Sequence, residues 1–237
     1  MKKHIPNTIT LFNLISGCIA IIMVFSGDAW IAGWFIIIAA VLDFVDGFMA
    51  RLLNAKSELG NMLDSLADVV SFGVAPGMIA FLQIKYSEQI FYGDYPELIA
   101  YIALLMPAMA ALRLAKFSID NTQTETFRGL PSPANGLFIA ALPILLRNHY
   151  DIQVVNLLLS NTIPLVIIVV VFSLLMVAPF RMMSLKFKNF KIKENSNRYL
   201  LLVISLPLLI IANAASIPVI ILIYILISFF TVKYSNH

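Results

Sequence analysis

Residues 43–68 read DFVDGFMARLLNAKSELGNMLDSLAD, and the rest of the chain is organised around them. The four aspartates stand in two strongly apolar segments, where each carboxylate is costly and marks a functional-site candidate. At about 100° per residue, Asp43, Asp46, Gly47 and Ala50 fall on one helical face. Gly60, Asp64, Asp68 and Ser71 share a face of the next segment in the same way. The short polar connection over residues 54–59 makes the pair a hairpin, so the two faces can meet. Four carboxylates converging in low dielectric repel strongly. Two divalent cations would cancel that charge, and hard oxygen ligands suit Mg²⁺, Mn²⁺ or Ca²⁺. Gly47 and Ala50 leave room for something flat or bulky beside the metals, and Arg51 offers a charged fork suited to phosphate. Carboxylate, metal and phosphate together are the hardware of phosphoryl transfer. Two other uses of membrane-embedded acids are an ion-transport site and interhelical polar glue. Glue rarely needs four acids without matching bases, and Arg51 alone cannot neutralise them.

Composition places the stretch in a membrane. Of 237 residues, 60% are hydrophobic and 12% charged, and the mean hydropathy is +0.91. Soluble domains average about 25% charged residues. The expected fold is all-α, a polytopic membrane helix bundle with spans near 8–26, 29–54, 61–84, 95–118, 133–148, 162–184, 199–214 and 217–233. With the N-terminus in the cytosol, fourteen of the sixteen Lys and Arg residues fall on the cytosolic side, leaving only Lys85 and Arg147 opposite. The active site then opens to the cytosol, where both termini also lie. A net charge of +3 does not point to nucleic acid, because the basic residues flank spans. The single cysteine, Cys18, excludes an intrachain disulfide and reads as a packing residue. His4, His149 and His237 have no companions at metal-ligand spacing. The basic opening residues run into a full span, so no cleavable signal peptide is expected.

Further features lie on the cytosolic side. Arg113 sits inside apolar sequence near the end of the fourth span. Snorkelling is one explanation; the other, preferred here, is that it faces the acidic cavity and neutralises a phosphate or carboxylate. Residues 127–136, FRGLPSPANG, carry two prolines and two glycines and form an ordered loop at the mouth of the site. A loop so placed suggests a lid or acceptor pocket, with Arg128, Ser132 and Asn135 as candidate contacts. Residues 181–198 are rich in lysine and could either attract anionic headgroups or simply set topology. The last two spans are almost wholly apolar and read as scaffold or dimer surface.

The aspartate stretch, written D-x-x-D-G-x-x-A-R-x(8)-G-x-x-x-D-x-x-x-D, resembles the signature of the CDP-alcohol phosphotransferase family at every specified position. Residues 127–136 resemble the F-x-G-L-P-S-P-A-x-G segment of that family's phosphatidylserine synthase branch. The resemblance covers roughly residues 6–180. It implies a six-helix core over residues 1–185, followed by a basic connection at 186–198 and a C-terminal hairpin at 199–237. It implies that Asp43, Asp46, Asp64 and Asp68 bind two metals, Mg²⁺ or Mn²⁺ with Ca²⁺ possible at one site, and that Asp68 doubles as general base. Gly47, Ala50, Arg51 and Gly60 would then hold the nucleotide and its diphosphate, with Asn7 or Thr10 in contact. The implied substrates are CDP-diacylglycerol and L-serine, and the implied assembly is a homodimer in the cytoplasmic membrane. Glycerol 3-phosphate or inositol phosphate is the alternative acceptor, and an ion-coupled transporter is the alternative class. Transport predicts an inverted repeat with a second broken helix, and the sequence has neither.

Overall fold

The computed structural model describes residues 4–55, 57–88, 96–119, 126–183 and 195–234. Helices α1 (His4–Phe25) and α2 (Ala29–Leu52) form the first hairpin and pack along their lengths. The second limb of the aspartate stretch is one helical rod in three parts. These are α3 (Glu58–Val69), a π-helical turn (Val70–Val74) and α4 (Ala75–Lys85). A 3₁₀ segment (Pro96–Leu104) leads into α5 (Leu105–Ile119). Then follow strand β1 (Thr126–Arg128), α6 (Ser132–Asn148), α7 (Gln153–Leu159), α8 (Thr162–Val177) and strand β2 (Arg181–Met183). The chain closes with α9 (Ser196–Ala212), a 3₁₀ turn (Asn213–Ser216) and α10 (Ile217–Tyr234).

Among the described residues, five helical stretches are long and apolar enough to cross a bilayer: 4–25, 29–52, 58–85, 97–118 and 196–230. The fifth contains α9, the turn and α10. Asn213, at φ 49° and ψ −143°, ends α9 within it. Of the expected spans, the fifth, sixth and seventh are shorter than a bilayer is thick, because α6 and α9 have 17 residues each and α8 has 16. Helix α6 is the centre of the bundle, with Ser132, Asn135, Gly136 and 138–144 all buried. It packs on α2, α4 and α10 and on the π turn. The protein is an integral membrane, all-α bundle.

Two expectations are corrected. The sixth span does not continue to residue 184. Ala178, extended at ψ 145° before Pro179, ends α8 at Val177. The following residues form β2, which pairs antiparallel with β1 in the register Phe127↔Met182. Cys18 does not pack inside the chain but is exposed on α1.

Small residues let the helices approach closely. A Cβ on Gly17 would lie 2.5 Å from Ser71 Oγ, and one on Gly136 would lie 2.9 Å from Phe72 Cα. Both contacts press on the π turn, so α1 and α6 grip the rod just beyond Asp68. On one side of the bundle, Arg147 at the end of α6 stacks over Trp30 at the start of α2, 3.8 Å from the ring centroid. The end of α4 meets the start of α8 through Ser87 and Thr162, whose hydroxyls are 2.8 Å apart. Lys85 and Arg147 thus stand at element ends joined to the starts of other spans, as alternate crossings require.

Candidate active site

Asp43 projects from α2 and Asp64 and Asp68 from α3, and each offers a carboxylate oxygen within 4.8 Å of the others. Two consecutive turns of α3 facing one turn of α2 produce this meeting, as the helical spacing predicts. Asp68 is 7% exposed, and Oδ1 of both Asp64 and Asp68 is buried with no hydrogen-bond donor among the described residues. Buried carboxylate oxygens without donors are costly, so the cluster fits a divalent cation with oxygen ligands. It could hold a metal.

Asp46 stands apart from the triad. It is 4% exposed, and its Oδ2 accepts a 2.6 Å hydrogen bond from Thr10 Oγ1. That bond ties α1 to α2 across the site. Beside it opens a cleft whose wall includes Asn7, Thr10, Asp46, Gly47, Ala50 and Gly60 together with Asp64. Every residue expected on the nucleotide side except Arg51 lines this cleft. Arg51 is exposed next to it, with Nη1 3.5 Å from where a Cβ on Gly47 would sit.

Ser57 also faces the cleft and was not among the sequence candidates. It caps α3, its Oγ accepting from the Gly60 amide at 3.1 Å. The signal for it was a serine immediately before a helical run. Asn7 is directed to the same corner, its Oδ1 3.1 Å from the Cβ position of Gly60.

Arg113 lies close enough to Asp68 to interact with it electrostatically. Its Nη1 donates to Ser132 Oγ at 2.7 Å, while its Nε is buried without an acceptor among the described residues. Snorkelling therefore does not describe Arg113. The loop expected around Ser132 and Asn135 is in fact the first turn of α6, and both residues are fully buried. Among the described residues, the Asn135 side-chain amide has no partner for either its nitrogen or its oxygen. Arg128 belongs to β1 by its backbone, but its side chain lies outside the described residues. So do Lys186, Lys188, Lys191 and Lys193 of the basic connection.

The family model described as CDP-alcohol phosphatidyltransferase matches residues 3–185. The chain is also similar to a CDP-diacylglycerol–serine O-phosphatidyltransferase of Helicobacter pylori (strain ATCC 700392 / 26695). The two are 30% identical over 225 residues, spanning 93% of this chain and 87% of the relative. A protein of the same description from Bacillus subtilis (strain 168) is 39% identical over 149 residues, 61% of this chain and 80% of its own length. Another, from Methanocaldococcus jannaschii, is 33% identical over 147 residues, 61% of this chain and 63% of its own length.

Proposed function

This chain belongs to the CDP-alcohol phosphatidyltransferase family, and from that premise we propose that it transfers the phosphatidyl group of CDP-diacylglycerol to the hydroxyl of L-serine, giving phosphatidylserine and CMP. The observation that carries the reading is the order of three groups across the site. The nucleotide cleft is walled by Asp46 and Asp64, Asp64 shares the carboxylate cluster with Asp68, and Arg113, bonded to Ser132, lies near Asp68. A transferase needs that order, with donor and acceptor meeting at the reacting group. Membership of a transferase family sets aside the transporter reading.

In this reading Asp43, Asp46, Asp64 and Asp68 hold two divalent cations, Mg²⁺ or Mn²⁺, with Ca²⁺ acceptable at one position. When bound, such cations neutralise the diphosphate and the charge that develops on the leaving CMP. Asn7 and Gly60 border the cytidine, Gly47 and Ala50 leave space for it, and Arg51 reaches the diphosphate. Thr10 acts by aiming Asp46. The acyl chains remain in lipid.

Arg113 binds the carboxylate of serine, with Ser132 holding the guanidinium in place and Asn135 within the same helical turn of α6. Asp68 accepts the proton of the serine hydroxyl as that oxygen attacks the phosphorus bearing the diacylglycerol. The new O–P bond forms as the bond to the bridging oxygen breaks, and CMP departs with the electron pair. No covalent enzyme intermediate is required, because the acids are committed to metal and base.

The site faces the cytosol in this reading, as the distribution of basic residues supports. The protein lies in the cytoplasmic membrane as a homodimer. Residues 1–185 form the catalytic core, 186–198 the connection and 199–237 the C-terminal hairpin. Purified protein given CDP-diacylglycerol, Mg²⁺ or Mn²⁺ and a panel of alcohols tests the function. CMP release should depend on serine. Release with glycerol 3-phosphate or inositol phosphate but not with serine overturns the acceptor assignment.

A further inference from the structure

Helices α9 and α10 lie beyond residue 185, where the family match ends, yet α10 reaches the acceptor side of the site. Tyr224, two turns into α10, is 4% exposed. Its hydroxyl donates to the carbonyl oxygen of Met183 at 2.9 Å. Met183 is the last residue of β2, and β2 holds β1 in register. From β1 the chain passes at once to the residues that set Ser132. The Gly129 amide donates to Phe180 O at 2.9 Å, and the Leu130 amide donates to Leu175 O at 2.8 Å. Ser132 follows Pro131 and accepts the Arg113 guanidinium. Arg113 in turn lies near Tyr224. A tyrosine hydroxyl buried among apolar helices is costly unless bonded, and an edge-strand carbonyl buried there equally needs a donor. Each satisfies the other, and the pair ties α10 to the ribbon.

We propose that Tyr224 is a positioning residue for the acceptor: through Met183 and the β1–β2 ribbon it holds Ser132, and through Ser132 the Arg113 guanidinium that receives the acceptor alcohol. The C-terminal helices then have a role in specificity and are not only scaffold. The proposal rests on Arg113–Ser132 as the acceptor pocket. It leaves the nucleotide cleft untouched, because no residue of that cleft contacts the ribbon through the bonds described.

The test is a split of kinetic constants in the full-length protein. It uses whichever alcohol supports CMP release by the wild type, so failure of the serine assignment is read from the wild type alone. Tyr224→Phe keeps the ring and removes the donor, and should raise KM for the acceptor about tenfold. KM for CDP-diacylglycerol should stay within about twofold of wild type. In a double-mutant cycle, Tyr224→Phe and Ser132→Ala should be non-additive in acceptor KM, since they act on one arrangement. Tyr224→Met fills the buried space with a side chain that lacks the hydroxyl and should give the same split. An unchanged acceptor KM overturns the proposal. So do a parallel loss in both KM values, additive effects in the cycle, or unfolding of both Tyr224 variants, since these assign Tyr224 no role or a structural one.

Discussion

Asp64 and Asp68 differ by about 40° around α3 and about 6 Å along it, so neighbouring acids can have separate tasks. If Asp68 is the base, Asp68→Asn should lower turnover by about 10²–10⁴-fold, the usual worth of a positioned acid–base group. CDP-diacylglycerol binding should survive, because three acids remain. Asp64→Asn should weaken metal and nucleotide binding together. Titration of the nucleotide beside turnover rates separates the two outcomes, and normal turnover by Asp68→Asn at saturating metal would remove its role as base. Thr10→Val is the matching test for Asp46. It deletes the 2.6 Å bond to the carboxylate with almost no change of shape. Hydrogen bonds to charged groups contribute about 1.5–3 kcal/mol, so CDP-diacylglycerol affinity should fall roughly 10- to 100-fold, read from its KM. That Asp43, Asp64 and Asp68 would meet was legible in the sequence, because charge in apolar sequence is costly enough to demand a purpose, whereas Arg51 is exposed beside the cleft and does not line it. Thr10 was legible as a neighbour of the site, but its bond to Asp46 depends on how α1 crosses α2, which spacing within one helix does not contain. The sequence points to Ser132 and Asn135, but two prolines and two glycines mark residues 127–136 as a loop that overlaps the span expected from 133, and the helix begins at Ser132.

Two elements escaped a reading based on periodicity. The π turn at Val70–Val74 departs from the 3.6-residue repeat on which face assignments rest, and π turns often mark functional sites. Here it follows directly on Asp68, and Ser71 donates from it to Asn13 O at 3.1 Å. The β1–β2 ribbon was hidden because Met182 and Met183 extend an apolar run, although Pro179 marked where the helix must end. The ribbon depends on Gly129, which has φ +74° and would bring a Cβ into the carbonyl of Met176. Gly27 has a similar φ of +88° but open space around it. Gly27→Ala should therefore carry only the left-handed backbone penalty, about 1 kcal/mol. Gly129→Ala adds a backbone collision and should cost at least about 2 kcal/mol more. Thermal melts of both variants in the same detergent decide the matter, and equal losses would mean that the Met176 carbonyl moves freely aside.

Across the whole molecule, the alternation of basic residues was legible because it is a property of composition along the chain and needs no packing detail. A cysteine at Lys56 and one at Asp151 should accept an impermeant label from opposite sides of sealed membranes, and labelling from one side would break the crossing pattern. The structure adds that α2 and α3 face each other through like charges. Carboxylate oxygens within 4.8 Å repel by about 3 kcal/mol or more per ionised pair at an effective dielectric of about 20. The folded chain carries that opposition between α2 and α3 wherever both carboxylates are ionised, and a bound cation relieves it. Ligand binding to the native state alone raises stability by about 2.7 kcal/mol at 100 times its Kd. Mg²⁺ should thus raise the melting temperature of the wild type by several degrees and restore the turnover that EDTA removes. Asp64→Asn deletes one of the opposed charges and one metal ligand together, so its effect should change sign with the medium. In EDTA the variant should melt at or above the wild type; in saturating Mg²⁺ it should melt below it. Melting curves of both proteins in both media need no substrate and no activity. If Asp64→Asn lowered the melting temperature by the same amount with and without Mg²⁺, the carboxylates would be packing groups, and the claim that a cation joins the two helices would be lost.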